Sequence, residues 1–256
     1  MKIATWNINS IRARIDRVIS WLDRHEPDVL ALQETKCRPD QFPFEQLHER
    51  GYHVEALGLN QWNGVALISR SPLEHIQAHF ADVPLFGDGS EAEPRALAAT
   101  VEGIRVYSLY VPHGRSLDDP HYRYKLSWLE ALAIEAGSIA DQPVALTGDF
   151  NIAPTDADVW DVAVFEGATH VSEPERAAFQ RFLDLGYSDV VRTFVPEGYT
   201  YWDYQRLRFP RNEGMRIDFI LTSPPLTARV SGAMIDRDER KGKGASDHVP
   251  VMITID

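Results

Sequence analysis

Four polar points end or precede apolar runs in this chain, and their side chains suggest one chemistry. They are Trp6-Asn7-Ile8-Asn9, Leu32-Gln33-Glu34-Thr35, Gly148-Asp149-Phe150-Asn151 and Ser246-Asp247-His248. The first three follow the β-like runs IATW, VLAL and VALT, and the last comes just before VPVMITI. Strand ends on a sheet bring sequence-distant groups together, so four polar strand ends suggest one constructed site. Carboxylates, amides and an imidazole, without cysteine, point to a hard cation and metal-assisted hydrolysis.

Each residue taken singly has a plainer reading. Glu34 alone would be a surface residue following a strand, and Asn7 and Asn9 would be turn-formers. Asp149 and Asn151, at i and i+2, face one side of an extended segment, beside a water or a metal; the same pair also makes an Asx-turn. Asp218 lies in Arg216-Ile217-Asp218-Phe219-Ile220-Leu221, an alternating strand in which an unpaired carboxylate is costly to bury. His248 is its natural partner, because a carboxylate on the imidazole N–H fixes the tautomer and favours the imidazolium. Tyr110, ending the VYSLYV strand before Pro112-His113-Gly114-Arg115, reads as a core aromatic when taken alone.

The elements that must position these groups follow from periodicity. Residues 2–8 read as a strand. Ser10 is placed to cap a helix with the apolar face Ile11, Ile15, Val18, Ile19 and Leu22, and Val29–Leu32 is a short buried strand. A helix is expected over Pro43–Arg50. Strands are expected over Tyr52–Leu57, Gly64–Ser69, Arg95–Val101 and Arg105–Val111, with a hairpin turn at Glu102-Gly103. Asp82–Pro94 is the most loop-like stretch. Asp118-Asp119-Pro120 opens a helix carrying Leu126, Leu129, Ala133 and Ala136 on one face. The second half gives strand Val144–Thr147, a helix over Glu173–Leu185, and strands over Tyr199–Trp202, Arg216–Leu221, Ala228–Ile235 and Val249–Ile255.

The halves echo one another: IATWNIN compares with VALTGDFN, and GVALISRSPL with RIDFILTSPPL. Each half would supply one sheet, and two sheets packed face to face beneath outer helices would bury the apolar strand faces. With no Gly/Ser or Pro-rich linker between them, the reading is one α/β domain over residues 1–256, made of two pseudo-related lobes with the site in their cleft. At 44% hydrophobic and 25% charged residues the composition is that of an ordinary soluble chain with a substantial core. One cysteine, Cys37, excludes an intrachain disulfide and fits a reducing cytoplasm. The start, MKIATWNINS, reads as a strand, and no run approaches membrane-span length, so neither export nor insertion is expected. A net charge of −12 opposes nonspecific nucleic-acid binding, although a local basic groove works on an acidic body. Two basic clusters are available, Arg206, Arg208, Arg211 and Arg216, and Arg115, Arg123 and Lys125 with His113 and His121; most such runs are solvated surface.

Together the motifs WNINSIR, LQETK, YVPHG, GDFNIAP, YTYWDY, GMRIDFIL and SDHVPV resemble, in order and across residues 2 to 254, the exonuclease III family of abasic-site endonucleases. That family belongs to the endonuclease/exonuclease/phosphatase superfamily, with DNase I as a distant relative. The resemblance implies a four-layer α/β sandwich of two packed mixed β-sheets flanked by helices. It implies a Mg²⁺-dependent DNA repair nuclease, Mn²⁺ being able to substitute, acting as a cytoplasmic, nucleoid-associated monomer. The activities implied are incision 5′ to abasic sites, 3′→5′ exonuclease action and removal of blocked 3′ ends from duplex DNA.

For single residues the resemblance makes Glu34 the principal metal ligand with Asn7 close by. Asp149 orients and deprotonates the attacking water, and Asn151 bonds the phosphate or helps hold the metal. His248, held by Asp218, stabilises the phosphate's growing charge. Asp247 binds metal or orients its neighbours. Tyr110 has three open roles: aiding the leaving group, binding phosphate, or activating water as a phenolate. His113, where relatives often carry Asn or Gln, Arg115, Arg208 and Arg216 are placed on the substrate. Trp202, Met215 and Ile217 would line an apolar pocket for a base-free sugar; some family members have tryptophan in place of Met215. Two other readings compete: a phosphoesterase for a phospholipid or inositol phosphate, and a catalytically silent DNA- or protein-binding module.

Overall fold

Two six-stranded sheets carry the chain. In the computed structural model, residues 1–256 are described except Asp88 and Ser90. The first sheet is built from β1 (Lys2–Asn7), β2 (Val29–Gln33), β3 (His53–Leu57), β4 (Val65–Ser69), β11 (Val230–Ile235) and β12 (Val251–Ile255). The second contains β5 (Glu74–Ala78), β6 (Ala96–Val101), β7 (Ile104–Tyr110), β8 (Val144–Asp149), β9 (Ser188–Asp189) and β10 (Asp218–Thr222). Their orders are β11-β12-β1-β2-β4-β3 and β5-β6-β7-β8-β10-β9. Each sheet has a parallel pair at its centre, β1 with β2 and β7 with β8, and both pairs are flanked by antiparallel strands. Position by position, therefore, the counterpart of β8 is β2, not β1, and the echo of IATWNIN in VALTGDFN is one strand out of step. The echo of GVALISRSPL in RIDFILTSPPL does match, since β4 and β10 occupy the same place in their sheets.

The helices are α1 (Ile11–His25), α2 (Phe44–His48), α3 (Pro120–Ser138), α4 (Glu173–Asp184), α5 (Val190–Phe194) and α6 (Pro224–Thr227). Strand alternation decides what packs where. On β1, Ile3 faces the other sheet together with Val29, Ala31, Val106, Ala145 and Ile220. Ala4 and Trp6 face the opposite way, onto Val18, Trp21 and Leu22 of α1. On the far side, Trp128 and Leu132 of α3 and Phe179 and Phe182 of α4 cover Leu146, Phe150 and Phe219. The layers are thus helix, sheet, sheet and helix: a four-layer α/β sandwich. Both faces of the central strands are buried, so their sequences read as nearly continuous apolar runs.

Several local expectations shift. Helix α2 is shorter than Pro43–Arg50, and Tyr199–Trp202 forms only isolated bridges from Tyr201 to Met215 and His248. Strand β5 and helix α5 carried no readable pattern: Glu74–Ala78 is mostly exposed and Val190–Phe194 is one short turn. Ser10 precedes α1 but makes no side-chain cap; at φ 85° its N–H instead donates to the Glu34 carbonyl at 2.7 Å. Asp119 does cap α3, accepting from the His121 N–H, with Pro120 in the first turn. Of the Asp82–Pro94 loop, Asp88 and Ser90 lie outside the described residues, and the others form neither helix nor strand. No helix among the described residues is long and apolar enough to cross a membrane.

Candidate active site

The C-terminal ends of both parallel pairs open on the same edge of the sandwich. Asn7 and Gln33 end β1 and β2, and Tyr110 and Asp149 end β7 and β8. Just beneath, a polar rung crosses the inter-sheet core: Thr5 Oγ1 donates to Gln33 Oε1 (3.1 Å), and Gln33 Nε2 to Ser108 Oγ (3.0 Å). Beyond the strand ends the chain turns sharply. Asn9, Glu34 and Asn151 all take left-handed φ near 44–51°. Such residues cost roughly 1–3 kcal/mol each and persist only where neighbours over-determine them. Here the determinants are backbone bonds between the turns, Ile8 N–H to Gln33 O (3.0 Å) and Ile11 N–H to Thr35 O (3.1 Å). Before Asp149, a Cβ on Gly148 would stand 1.9 Å from the Leu109 carbonyl oxygen, so only glycine lets β8 lie this close to β7.

The polar side chains form one continuous network. Asn7 Nδ2 donates both to Glu34 Oε1 (2.8 Å) and to Asp149 Oδ2 (3.0 Å), tying the two sheets together at the site. Glu34 Oε2 meets Lys36 Nζ at 2.7 Å, and Lys36 donates to Asn9 Oδ1 (2.6 Å). Asn9 in turn donates to Asp247 Oδ1 (3.0 Å). On the other side, His248 Nδ1 lies 2.8 Å from Asp218 Oδ2, and its Nε2 lies 3.8 Å from Asp149 Oδ2. Asn151 is held from three directions: its N–H donates to Asp149 Oδ1 (2.8 Å), its amide to Val111 O (2.9 Å), and its Oδ1 meets His170 Nε2 (3.1 Å). The Asp149–Asn151 segment is therefore an Asx-type turn, not an extended stretch with both side chains on one face.

Burial sets the protonation states. Burial pushes the Asp149 carboxyl up to about 7, with His248 offsetting only part of it. Burial opposes a charged His248 ring, yet Asp218 and Asp149 prevail and push it up to about 10, so the imidazolium persists at neutral pH. Burial would raise Glu34, but Lys36 and the Asn7 amide outweigh it and hold the carboxylate ionised. Burial, reinforced by the Glu34 charge, raises Tyr110 well above its ordinary range, which favours the neutral phenol. Burial lowers both His113 and His170, which are neutral rings packed edge to face at 4.7 Å between centroids.

A cavity of about 150 Å³ opens here, lined by Glu34, Tyr110, His113, Asp149, Asn151, His170, Tyr201, Met215, Ile217, Asp247 and His248. Ligand atoms of Glu34, Asp149 and His248 all lie within 4.8 Å of one another. Hard carboxylate oxygens beside a cleft fit a Mg²⁺ ion, which usually takes one or two carboxylates. In this arrangement Asn7 braces the carboxylates, its Oδ1 already accepting from the Asn9 N–H (3.1 Å).

Four expectations need correction. Trp202 is fully buried and Tyr201 takes its place in the lining, because successive residues of an extended segment point to opposite sides. Arg216 does not reach toward substrate: it is buried, with Nε 2.7 Å from Asp158 Oδ1 and Nη2 2.6 Å from Asp189 Oδ2. Lys125 is likewise inside, paired with buried Glu175 and donating to Asn151 O (2.6 Å). His121 is buried too, its Nδ1 accepting the Gly114 N–H at 3.1 Å. Arg115 stays exposed on the rim, 3.8 Å from Asp119, and Arg208 is paired with Glu213 outside the cavity. His170 and Lys36 escaped the sequence reading. His170 follows an irregular Gly167-Ala168-Thr169 stretch with no periodicity, while Lys36 lies two residues from Glu34 and was legible only by proximity.

The sequence and the fold both match known proteins. Residues 4–248 match the family model described as the endonuclease/exonuclease/phosphatase family. The chain is 30% identical to exodeoxyribonuclease III of Haemophilus influenzae, over 98% of each protein. Among solved structures it matches the 3′ phosphatase NExo from Neisseria, bound to a product DNA hairpin, at 38% identity. That match has a TM-score of 0.95 and covers 100% of this chain and 99% of the other. An AP endonuclease from Archaeoglobus fulgidus matches at 35% identity and a TM-score of 0.93, over 100% and 99% of the two chains. With its two-sheet frame and its carboxylate–imidazole cleft, the chain belongs to the endonuclease/exonuclease/phosphatase family and is a nuclease, an enzyme that hydrolyses phosphodiesters.

Proposed function

We propose that this protein is a Mg²⁺-dependent DNA repair nuclease, with Mn²⁺ able to replace Mg²⁺. It incises duplex DNA 5′ to abasic sites, degrades 3′→5′, and clears 3′-phosphates and other 3′ blocks. The observation that carries this reading is the Asn7 amide bridging Glu34 and Asp149 opposite a His248 imidazolium clamped by Asp218. Glu34 and Asp149, with Asp247 at the cavity wall, would hold a Mg²⁺ ion, which would neutralise developing charge on the phosphate oxygens.

The chain's own residues do the rest. Asp149, whose carboxyl titrates near 7, takes the proton of a water that attacks phosphorus; the new P–O bond forms as the bond to the 3′ oxygen breaks. The His248 imidazolium, oriented through Nδ1 by Asp218, bonds the phosphate oxygens as their charge grows. Tyr110, a neutral phenol backed by the Arg95 guanidinium 4.9 Å from its ring, donates its O–H to the phosphate or the leaving 3′ oxygen. Asn151 and neutral His113 supply further N–H donors, and Tyr201, Met215 and Ile217 give the sugar an apolar wall. The reading carries with it a monomer working in the cytoplasm, on the nucleoid.

The test uses one duplex with an abasic site, one with a 3′-phosphate and one with an ordinary 3′ end, each with Mg²⁺ and with EDTA. All three should be processed with Mg²⁺ and none with EDTA. Undiminished cleavage in EDTA, or hydrolysis of inositol phosphates with none of DNA, overturns the reading.

A further inference from the structure

Beside the reaction cavity lies a second one of about 140 Å³, and the two share Tyr201 and Met215 as a common boundary. Its remaining walls include Trp160, Phe165, Arg208 and Glu213. The reaction cavity is lined mainly by polar and ionisable groups, whereas this one presents aromatic surface. We propose that this second cavity is a nucleobase subsite, which receives the base of the 3′-terminal nucleotide during exonuclease action.

The cavity is built from tightly laced backbone. Val159 and Tyr201 each bridge to Met215, and the Trp160 N–H donates to Gly214 O at 3.1 Å. Three chain segments thereby fix Trp160 against the boundary of the reaction cavity. The Arg208 guanidinium lies over the Trp160 ring at 4.9 Å and is paired with Glu213, and Asp203 and Tyr201 also line the cavity, so its polar groups are a cation, two carboxylates and a phenol. A planar heterocycle with both donors and acceptors suits such a lining, and every base has a π-face to stack. At the rim Val164 is 50% exposed, which leaves the apolar entrance open to solvent.

Geometry links the subsite to one activity and not to another. In exonuclease action the nucleotide beyond the scissile phosphate carries an intact base, which must go somewhere next to the sugar wall. In 3′-phosphate removal nothing lies beyond the phosphate, and an abasic terminus carries no base. The inference rests on the proposed nuclease function, and its substrates separate the two ideas.

The experiment compares kcat/KM on one duplex with three 3′ ends: an ordinary nucleotide, its tetrahydrofuran abasic analogue and a phosphate. Trp160→Ala should lower release of the ordinary nucleotide about tenfold or more, the range of a lost base stack. Removal of the abasic analogue and of the phosphate should keep wild-type rates. Val164→Asp, at the exposed rim, should act in the same direction without disturbing buried packing. In the unaltered protein, a 3′-terminal 2-aminopurine should lose fluorescence on binding in EDTA. Unquenched 2-aminopurine, or unchanged nucleotide release in both variants, overturns the subsite while leaving the nuclease reading intact. A wild-type protein that turns over none of the three ends overturns both.

Discussion

At the scale of single residues, the site is a set of mutually dependent charges. Burial raises the Asp149 carboxyl to about 7 against the pull of His248, and Asp218 and Asp149 hold the His248 ring near 10 against burial, so none acts as an isolated group. Glu34, paired with Lys36, is tied to Asp149 through the Asn7 amide that both share. Glu34→Gln should raise the Mg²⁺ concentration for half-maximal cleavage and abolish the rise in Tm that Mg²⁺ gives the wild type by mass action. A Mg²⁺ titration followed by activity and by thermal melting reads both; superimposable curves would move the metal elsewhere. Asp149→Asn keeps shape but removes the base, and should cost about 10²–10⁴ in turnover while abasic duplex is still bound. Near-wild-type turnover would relocate the catalytic centre.

Elements decide which side chains reach solvent and which do not. The extended Tyr201-Trp202 pair sends the tyrosine to the cleft and the indole to the interior, where it packs edge-on to Phe209 at 5.2 Å. Trp202→Ala should therefore destabilise the fold by about 3–5 kcal/mol, as a buried aromatic truncation does, without separating abasic-site from 3′-phosphate activity. Urea unfolding with both activity assays checks this. Within the Arg206–Arg216 cluster, Arg211 lies on an exposed turn while Arg216 is locked between Asp158 and Asp189. Arg211→Ala should flatten the slope of log K against log[salt] on duplex DNA by about 0.9. Arg216→Met should leave that slope alone yet cost about 3–5 kcal/mol, since half-buried Asp189 loses its cation and buried Asp158 keeps only Arg192. A slope that responds to Arg216→Met and ignores Arg211→Ala would reverse the assignment.

For the whole molecule, the two sheets meet at the site, so its integrity is tied to global stability. Behind the loops of the cleft lies His121, whose ring burial lowers to about 4 while its Nδ1 accepts the Gly114 N–H. The unfolded ring titrates near 6.5, so between these values the unfolded chain binds the extra proton. The contribution of His121 is complete above pH 6.5 and is lost as pH falls toward 4. Burial lowers His170 in the same direction. His121 and His170 thus draw the unfolding free energy down from neutral pH toward pH 4 while Asp149, with its raised carboxyl, works the other way, and His121→Asn, which keeps an acceptor for Gly114, should show a shallower decline than the unaltered protein. Parallel declines in urea titrations at several pH values would assign the acid limb to other groups.

The amino-acid sequence alone determined the strand ends at the site, the order of the motifs and the side-chain types gathered there in Glu34, Asp149, Asp218 and His248. These are local matters: an apolar run of β-forming residues that stops at a polar one is written in consecutive letters. Period-two alternation also fixed that Tyr201 and Trp202 point oppositely, but not which of them faces the cleft. That choice depends on the side from which Met215 and His248 pair with the segment. Charge was legible as composition and illegible as exposure. Arg216 and Arg211, or Lys125 and Arg123, look alike in a chain, and only the approach of Asp158, Asp189 and Glu175 from distant segments draws one of each pair inside. Tertiary structure alone brought His170 to Asn151 and Asn7 between two carboxylates 115 positions apart, because burying both sheet faces together forces those strand ends onto one edge.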